Sequence, residues 1–302
     1  MADHPDLAAL LDLAVDTARA AGDALTAFAR GHAAGDDLGF STKSTVTDPV
    51  SEADRASERL IADRLAAVRP DDGLLGEEGQ AERRGTTGLR WVVDPLDGTV
   101  NFLYGIPAWC VSIACEDGRG SLVGVVHDPS RDETFAAVRG GGAHVNGASL
   151  HVSDAPALDR TLVATGFAYA RNTRRDWAVD VADLLTHVRD LRRGGAAALD
   201  LAWTAAGRFD AYLEFGLSSW DWAAGRLLVT EAGGHVSTPT RRLGGETRPG
   251  VLAGGRAAHD AVAAWLDARP NDHAADHQDA ARTADATATR TADPTADHQD
   301  VP

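Results

Sequence analysis

Apolar residues recur at helical spacing over residues 6–30. Leu7, Leu10, Leu11, Ala14, Val15, Ala18, Leu25 and Phe28 make one stripe behind the start signals Asp3 and Pro5, which predicts a helix. A polar, Gly-bearing loop follows, then a second predicted helix over about 52–69, with Leu60, Ile61, Leu65 and Val68 on its inner face and Pro70-Asp-Asp-Gly73 as its stop. Leu74 and Leu75 lead into Gly76-Glu-Glu-Gly79, and the apolar run Trp91–Val93 reads as a buried strand ending at Asp94. Between 107 and 153, short apolar runs alternate with turn clusters such as Asp128-Pro-Ser-Arg-Asp132 and Val145-Asn-Gly147, the pattern of a strand meander. The second half changes rhythm. Strands are predicted at 161–167, 209–215, 234–238 and 250–253, and helices at 176–189, 196–207, 220–232 and 256–268. Alternating strands and helices give an α/β fold in which sheets are sandwiched between helix layers.

Residues 271–302 break the pattern. They lack Leu, Ile, Phe, Trp, Tyr and Met, and Ala-Asp-His-Gln-Asp occurs twice, at 275–279 and 296–300. Such a segment buries too little apolar area to offset its ordering entropy. The expected organisation is therefore a catalytic-size domain over 1–268 and a disordered acidic tail over 269–302.

Composition narrows the function classes. The 302 residues are 44% hydrophobic and 25% charged, and the net charge is −16. That balance disfavours nucleic-acid or anionic-membrane binding, which rest on positive patches. It also sits awkwardly with an anionic substrate. Lys43 is the only lysine among 29 basic side chains. Cys110 and Cys115 lie in one predicted strand at a separation that puts them on opposite faces, so they are expected to be buried free thiols that neither pair nor share a metal. The acidic N-terminus lacks a signal-peptide pattern, and no run of about 18 apolar residues exists to span a membrane. A cytoplasmic location is expected.

No Gly-Lys-Ser/Thr phosphate loop, Gly-x-Gly-x-x-Gly, His-Glu-x-x-His or Gly-x-Ser-x-Gly is present. Carboxylates at turns stand out instead. In Asp94-Pro-Leu-Asp-Gly-Thr99, two carboxylates three residues apart on a tight turn can face one pocket, with the Leu96 carbonyl as a third oxygen. Oxygen-only ligation suits a hard cation such as Mg2+. Gly98 and Thr99 would offer backbone N–H groups to a phosphate. Read singly, each feature has a plainer explanation. The hexapeptide could be a turn rich in helix-capping Asp, Glu77 and Glu78 a solvated turn, Asp54 the end of a capping box from Ser51, and Asp221 an N-cap.

Taken in order and spacing, Gly76-Glu-Glu, Asp94-Pro-Leu-Asp-Gly-Thr99 and Trp220-Asp-Trp-Ala-Ala-Gly225 through Glu231-Ala-Gly-Gly234 resemble the inositol monophosphatase family. The resemblance runs from the first helix to about residue 268. It implies an αβαβα sandwich, Mg2+-dependent hydrolysis of small phosphomonoesters with two to three ions per site, a homodimer and inhibition by Li+. Carried over by position, Glu77, Asp94 and the Leu96 carbonyl match the ligands of the first ion, and Asp94, Asp97 and Asp221 those of the second. Glu77 and Asp97 approach a third. Asp54 and Thr99 match the pair that orients and deprotonates the attacking water. The Gly98 and Thr99 amides match the phosphate cradle, Glu214 a contact to substrate hydroxyls, and Gly195, Ala196 and Ala197 the wall beside the inositol ring. Lys43 falls where the family keeps a lysine near the metals, and Glu78 is an accessory carboxylate. Ala196 departs from the Ser or Thr often found there, which removes a polar contact.

The resemblance implies in-line attack by water activated by the metals, without a phospho-enzyme. The spacing Asp94-x-x-Asp97 also differs from the Asp-x-Asp of aspartyl-phosphate enzymes. Inositol 1-phosphate leads the substrates, because Asn101-Phe-Leu-Tyr-Gly-Ile-Pro107 resembles bacterial members. Histidinol phosphate, fructose 1,6-bisphosphate and 3′-phosphoadenosine 5′-phosphate are alternatives on the same metal site, and a non-catalytic adaptor is the alternative from another class. The charge then divides. Seven Asp and two Arg give −5 to residues 271–302, and five carboxylates of the remaining −11 are expected to lie against cations. Bound cations would make an acidic protein attractive to a phosphate.

Overall fold

The computed structural model describes residues 6–31, 41–42, 49–50, 52–79, 82–153, 155 and 157–271, with 41–42 and 49–50 described as backbone only. Lys43, Ser51 and nearly all of the expected tail lie outside the described residues. The first part of the chain forms α1 (Leu7–Gly31), the short pair β1 (Ser41–Thr42) and β2 (Pro49–Val50), α2 (Glu52–Val68), β3 (Gly73–Gly76), β4 (Arg90–Asp97) and α3 (Thr99–Leu103). A meander follows through β5 (Cys110–Asp117), β6 (Gly120–Asp128), β7 (Glu133–Val138), β8 (Gly142–Val145) and β9 (Ala148–Ser149). The second half is β10 (Leu162–Thr165), α4 (Arg171–Leu185), β11 (Asp190–Arg192), α5 (Ala197–Ala205), β12 (Ala211–Phe215), α6 (Ser219–Glu231), β13 (His235–Ser237), β14 (Thr240–Leu243), β15 (Glu246–Gly254) and α7 (Arg256–Asp267).

Strands β3 to β9 form one seven-stranded sheet in sequence order, parallel at β3–β4 and antiparallel elsewhere. Both of its faces are buried, which is why its strands read as nearly unbroken apolar runs. Trp91, Val93, Ile113 and Val125 pack with Leu10, Leu25, Ile61 and Leu65 of α1 and α2. Val92, Ala114 and Val126, on the alternate positions, pack with Leu199, Leu201, Ala224 and Leu228 of α5 and α6. Those two helices also cover one side of a second sheet, ordered β11-β10-β12-β15-β13 with β14 on β15, through Tyr212 and Ala253. Its other side carries Leu213 and Leu252 against Trp177 and Leu184 of α4 and Val262 and Leu266 of α7. The result is helix, sheet, helix, sheet, helix: the expected αβαβα sandwich. No described helix is long and apolar enough to cross a membrane.

The cysteines behave as their spacing requires. Both are free and buried, Cys110 in the core facing α5 and α6 and Cys115 in the core facing α1 and α2. Several elements differ from expectation. Helix α4 runs over Arg171–Leu185 rather than 176–189, because its first turn, Arg171-Asn-Thr-Arg-Arg175, carries no apolar signal. Strand β11, with one apolar residue, is held by parallel pairing to β10. Strand β14 and an early start to β15 form a hairpin across Gly244 and Gly245, whose φ values of 64° and 85° suit a two-residue turn. The folded body also continues past residue 268. Arg269 Nε donates to Asp180 Oδ1 at 3.0 Å, and Asn271 Oδ1 accepts the Arg242 amide at 2.8 Å.

Candidate active site

The densest motif is a strand with a bulge, where the sequence suggested a tight turn. Pairing of β4 to β5 opposes Asp94 to Ser112 and Asp97 to Cys110, so three steps on β4 match two on β5. In a regular strand, residues three apart face opposite sides. The extra residue at Pro95–Leu96 turns Asp97 back to the side of Asp94. Pro95 suits this position because it has no ladder N–H to lose. Its carbonyl accepts from Ser57 Oγ at 2.8 Å, and Asp94 Oδ1 accepts the Leu96 amide at 3.1 Å. Glu77 reaches the same place through the parallel β3–β4 register, in which Gly76 pairs with Val93 and the Glu77 amide donates to the Val93 carbonyl at 3.2 Å.

The fourth carboxylate comes from α6. Asp221 lies in its first turn, not at the N-cap. That position belongs to Ser218, whose amide donates to Asp221 Oδ2 at 2.6 Å. Asp97 is held by donors that local sequence did not indicate: the Ala197 and Ala198 amides at the start of α5, at 3.1 and 2.7 Å, and the Cys110 thiol at 3.6 Å. Asp94 and Asp97 are buried. Burial holds Asp94 well above the ordinary carboxylate range, and the charges of Glu77, Asp97 and Asp221 add to the effect. Asp97 is pushed up to about 6 by burial and the Glu77 charge, against the opposing pull of its amide and thiol donors. Asp221 is raised well above its usual range by burial and by Asp97 and Glu77.

Among the described residues, no three carboxylate, imidazole or thiol groups converge as they stand to hold one ion. Oxygens of Asp94, Asp97 and Asp221 accept from protein donors instead. The donor chemistry nevertheless fits a hard divalent cation. Four carboxylates are gathered with an adjacent backbone carbonyl, and burial and repulsion disfavour the charge of Asp94, Asp97 and Asp221, which a cation would relieve.

Asp54, fully buried in α2, accepts a hydrogen bond from Thr99 Oγ1 at 3.1 Å, and the Leu96 carbonyl stands at the same distance from that hydroxyl. One proton is shared between the two acceptors. Gly98 precedes α3 with φ 94°, and a Cβ there would stand 2.9 Å from the Ala108 carbonyl. The chain therefore needs glycine to present the Thr99 amide. Glu78 lies beside Glu77, its amide donating to Glu58 Oε1 at 3.0 Å.

A cleft of about 390 Å³ adjoins these groups. Glu77, Asp97, Asp221, Glu214, Gly195, Ala196 and Ala197 line it, whereas Asp54, Asp94, Leu96, Gly98 and Thr99 are not on its wall. The structure thus brings three of the four expected carboxylate ligands, Glu77, Asp97 and Asp221, to one cleft with Glu214, Gly195, Ala196 and Ala197, while Asp94, Leu96, Gly98 and the Asp54–Thr99 pair are not on its wall. The further lining residues that sequence reasoning missed include two cations, Arg193 and Arg248, each of which reads locally as an ordinary surface arginine. Glu214 accepts from Tyr212 Oη at 2.7 Å. Burial pushes it up to about 7, and the charge of Asp97 adds to this against the Tyr212 hydrogen bond and the charge of Arg193.

A raised carboxylate pKa means that the folded state keeps a proton the unfolded chain has released. The part of the metal-free protein's stability that Glu214 supplies should therefore be present in full below about pH 4.5 and be lost as pH rises to about 7. The contribution of Glu214 is on the order of 3 kcal/mol. Glu214→Gln should make the decline shallower between pH 5 and 7 in urea denaturation with EDTA, and an unchanged slope would contradict this.

The family model described as the inositol monophosphatase family matches residues 6–271. Inositol-1-monophosphatase SuhB of Mycobacterium tuberculosis strain H37Rv is 45% identical over 221 residues, covering 70% of this chain and 76% of that protein. Nus factor SuhB of Salmonella typhimurium is 43% identical over 236 residues, covering 78% and 85%. The crystal structure of extragenic suppressor protein suhB from Bartonella henselae superposes with a TM-score of 0.78 at 36% identity, over 87% of this chain and all of that one.

Proposed function

The chain belongs to the inositol monophosphatase family, and from that premise we propose that it hydrolyses small polyol phosphomonoesters with Mg2+, inositol 1-phosphate foremost. The observation that carries the reading is the bulge in β4, which turns Asp94 and Asp97 to one side beside Glu77 and Asp221. Glu77, Asp94, the Leu96 carbonyl, Asp97 and Asp221 would hold the ions. Magnesium bound there supplies positive charge for the phosphate oxygens and the acidity that makes a water nucleophilic at neutral pH. Thr99 Oγ1 orients the attacking water, and Asp54 takes its proton through that hydroxyl. The Gly98 and Thr99 amides face the phosphate. Gly195, Ala196 and Ala197 shape the wall against the alcohol, and Glu214 contacts its hydroxyls. The proposed attack uses no covalent phosphate carrier. In the same proposal the catalytic domain, expected over residues 1–268, extends to Asn271, the acidic segment beyond it is a solvating tail, the protein is a homodimer and Li+ inhibits it.

Relatives bearing the name Nus factor SuhB favour a second reading, in which the fold serves a protein contact. A phosphate-release assay separates the two. Inositol 1-phosphate, histidinol phosphate, fructose 1,6-bisphosphate and 3′-phosphoadenosine 5′-phosphate are each supplied with Mg2+ or with EDTA. Release from inositol 1-phosphate that exceeds the others and vanishes in EDTA is the expected result. Absence of release from every ester would favour the protein-contact reading.

A further inference from the structure

The wall of the cleft around Glu214 carries more positive charge than hydroxyl recognition needs. Arg193 follows β11, is exposed, and lines the cleft. Its guanidinium lies over Gly195, where a Cβ would stand 2.6 Å from Nη1. Among the described residues it makes no hydrogen bond or ion pair. Its neighbour Arg192, by contrast, is paired to Asp190 at 2.5 Å. Arg193 acts on Glu214 and Asp200 through charge alone, and the bonding partner of Glu214 is Tyr212. A guanidinium placed to neutralise either acid would be bonded to it.

Arg248 reaches the same cleft from β15. Its Cδ and Nη1 lie 3.8 and 4.0 Å from the position of a Cβ on Gly216. Nη2 pairs with the exposed Glu246 at 2.8 Å, a surface contact of little energetic consequence, and Nη1 makes no hydrogen bond among the described residues. Two guanidiniums from separate elements thus line one cleft with donors unspent, a donor set suited to anionic oxygens.

We infer that Arg193 and Arg248 form a second anion subsite. Of two esters identical at the reacting phosphate, the enzyme then prefers the one whose alcohol carries another phosphate. The inference rests on the phosphomonoesterase reading of this cleft. Inositol 1-phosphate would react there without filling the subsite.

The test compares fructose 1,6-bisphosphate with fructose 1-phosphate in Mg2+. Fructose 6-phosphate as the product of the first shows that the shared 1-phosphate reacts. A kcat/KM ratio of about tenfold or more in favour of the bisphosphate is expected, carried mainly by KM. Arg193→Gln should bring the ratio to within about twofold and Arg248→Gln should lower it by part of that amount, while Arg192→Gln leaves it unchanged. A ratio near one in the parent protein, or a ratio untouched by both cleft variants, overturns the subsite. If neither ester is hydrolysed, the phosphomonoesterase reading fails separately. Calorimetric titration with the two fructose esters then reads the subsite by itself, and equal affinities overturn it.

Discussion

Asp94→Asn is expected to lower Mg2+-dependent phosphate release by about 10³-fold or more, equivalent to about 4 kcal/mol of transition-state stabilisation. Asp94 is buried, and its carboxylate is the one on which the charges of Glu77, Asp97 and Asp221 all act. An amide at this position keeps the shape and one acceptor oxygen but loses the charge that would bridge two cations. The same change should leave the fold intact and raise the melting temperature of the metal-free protein, because it removes one of four mutually repelling acids. Addition of Mg2+ should then raise the melting temperature of the variant less than that of the parent. Circular dichroism, thermal melts with and without Mg2+ and phosphate release together read these effects. Turnover that persists with ordinary Mg2+ dependence would remove Asp94 from the ligand set.

The second large effect concerns Thr99. Thr99→Ala should reduce kcat by about 10² to 10⁴, the range typical of a lost general acid–base contact, with a smaller change in KM. The Thr99 hydroxyl is the group that joins buried Asp54 to the Leu96 carbonyl, at 3.1 Å from each. Without it, Asp54 loses the path by which it would receive the proton of water. Thr99→Ser keeps the hydroxyl and should recover most of the rate. A merely structural role for the threonine methyl would give the opposite ranking, with Ser nearly as impaired as Ala. Steady-state kinetics on inositol 1-phosphate distinguish the two.

Much of this architecture is legible in the sequence because burial leaves a period. The stripe from Leu7 to Phe28 becomes α1, and the alternation across Trp91, Val92 and Val93 sorts those side chains to two helix layers. Cys110 and Cys115 separate to opposite faces for the same reason. Where burial is weak the period fails. The polar first turn of α4 and the edge strand β11 carry too few apolar residues to announce themselves, and tertiary packing and parallel pairing hold them. The hairpin β14–β15 was within reach, since Gly244-Gly245 between two strand-compatible runs is a turn signal.

The sequence by itself determined the kinds of group available: oxygen donors in a motif around Asp94 and Asp97, carboxylates upstream and downstream of it, and a layered fold to hold them. It also located much of the negative charge, with −5 beyond residue 270 and five acids in the motifs. Tertiary structure decided which of these groups meet. A one-residue bulge set the side on which Asp97 lies. Helix packing brought Asp54 to Thr99 across 45 residues and the α5 amides to Asp97 across about 100. Arg193 and Arg248 acquired a shared cleft only when the second sheet placed their strands around Glu214. The physical reason is that side-chain period reports whether a face is buried, whereas register, bulges and layer packing, which are long-range, set what that face is buried against.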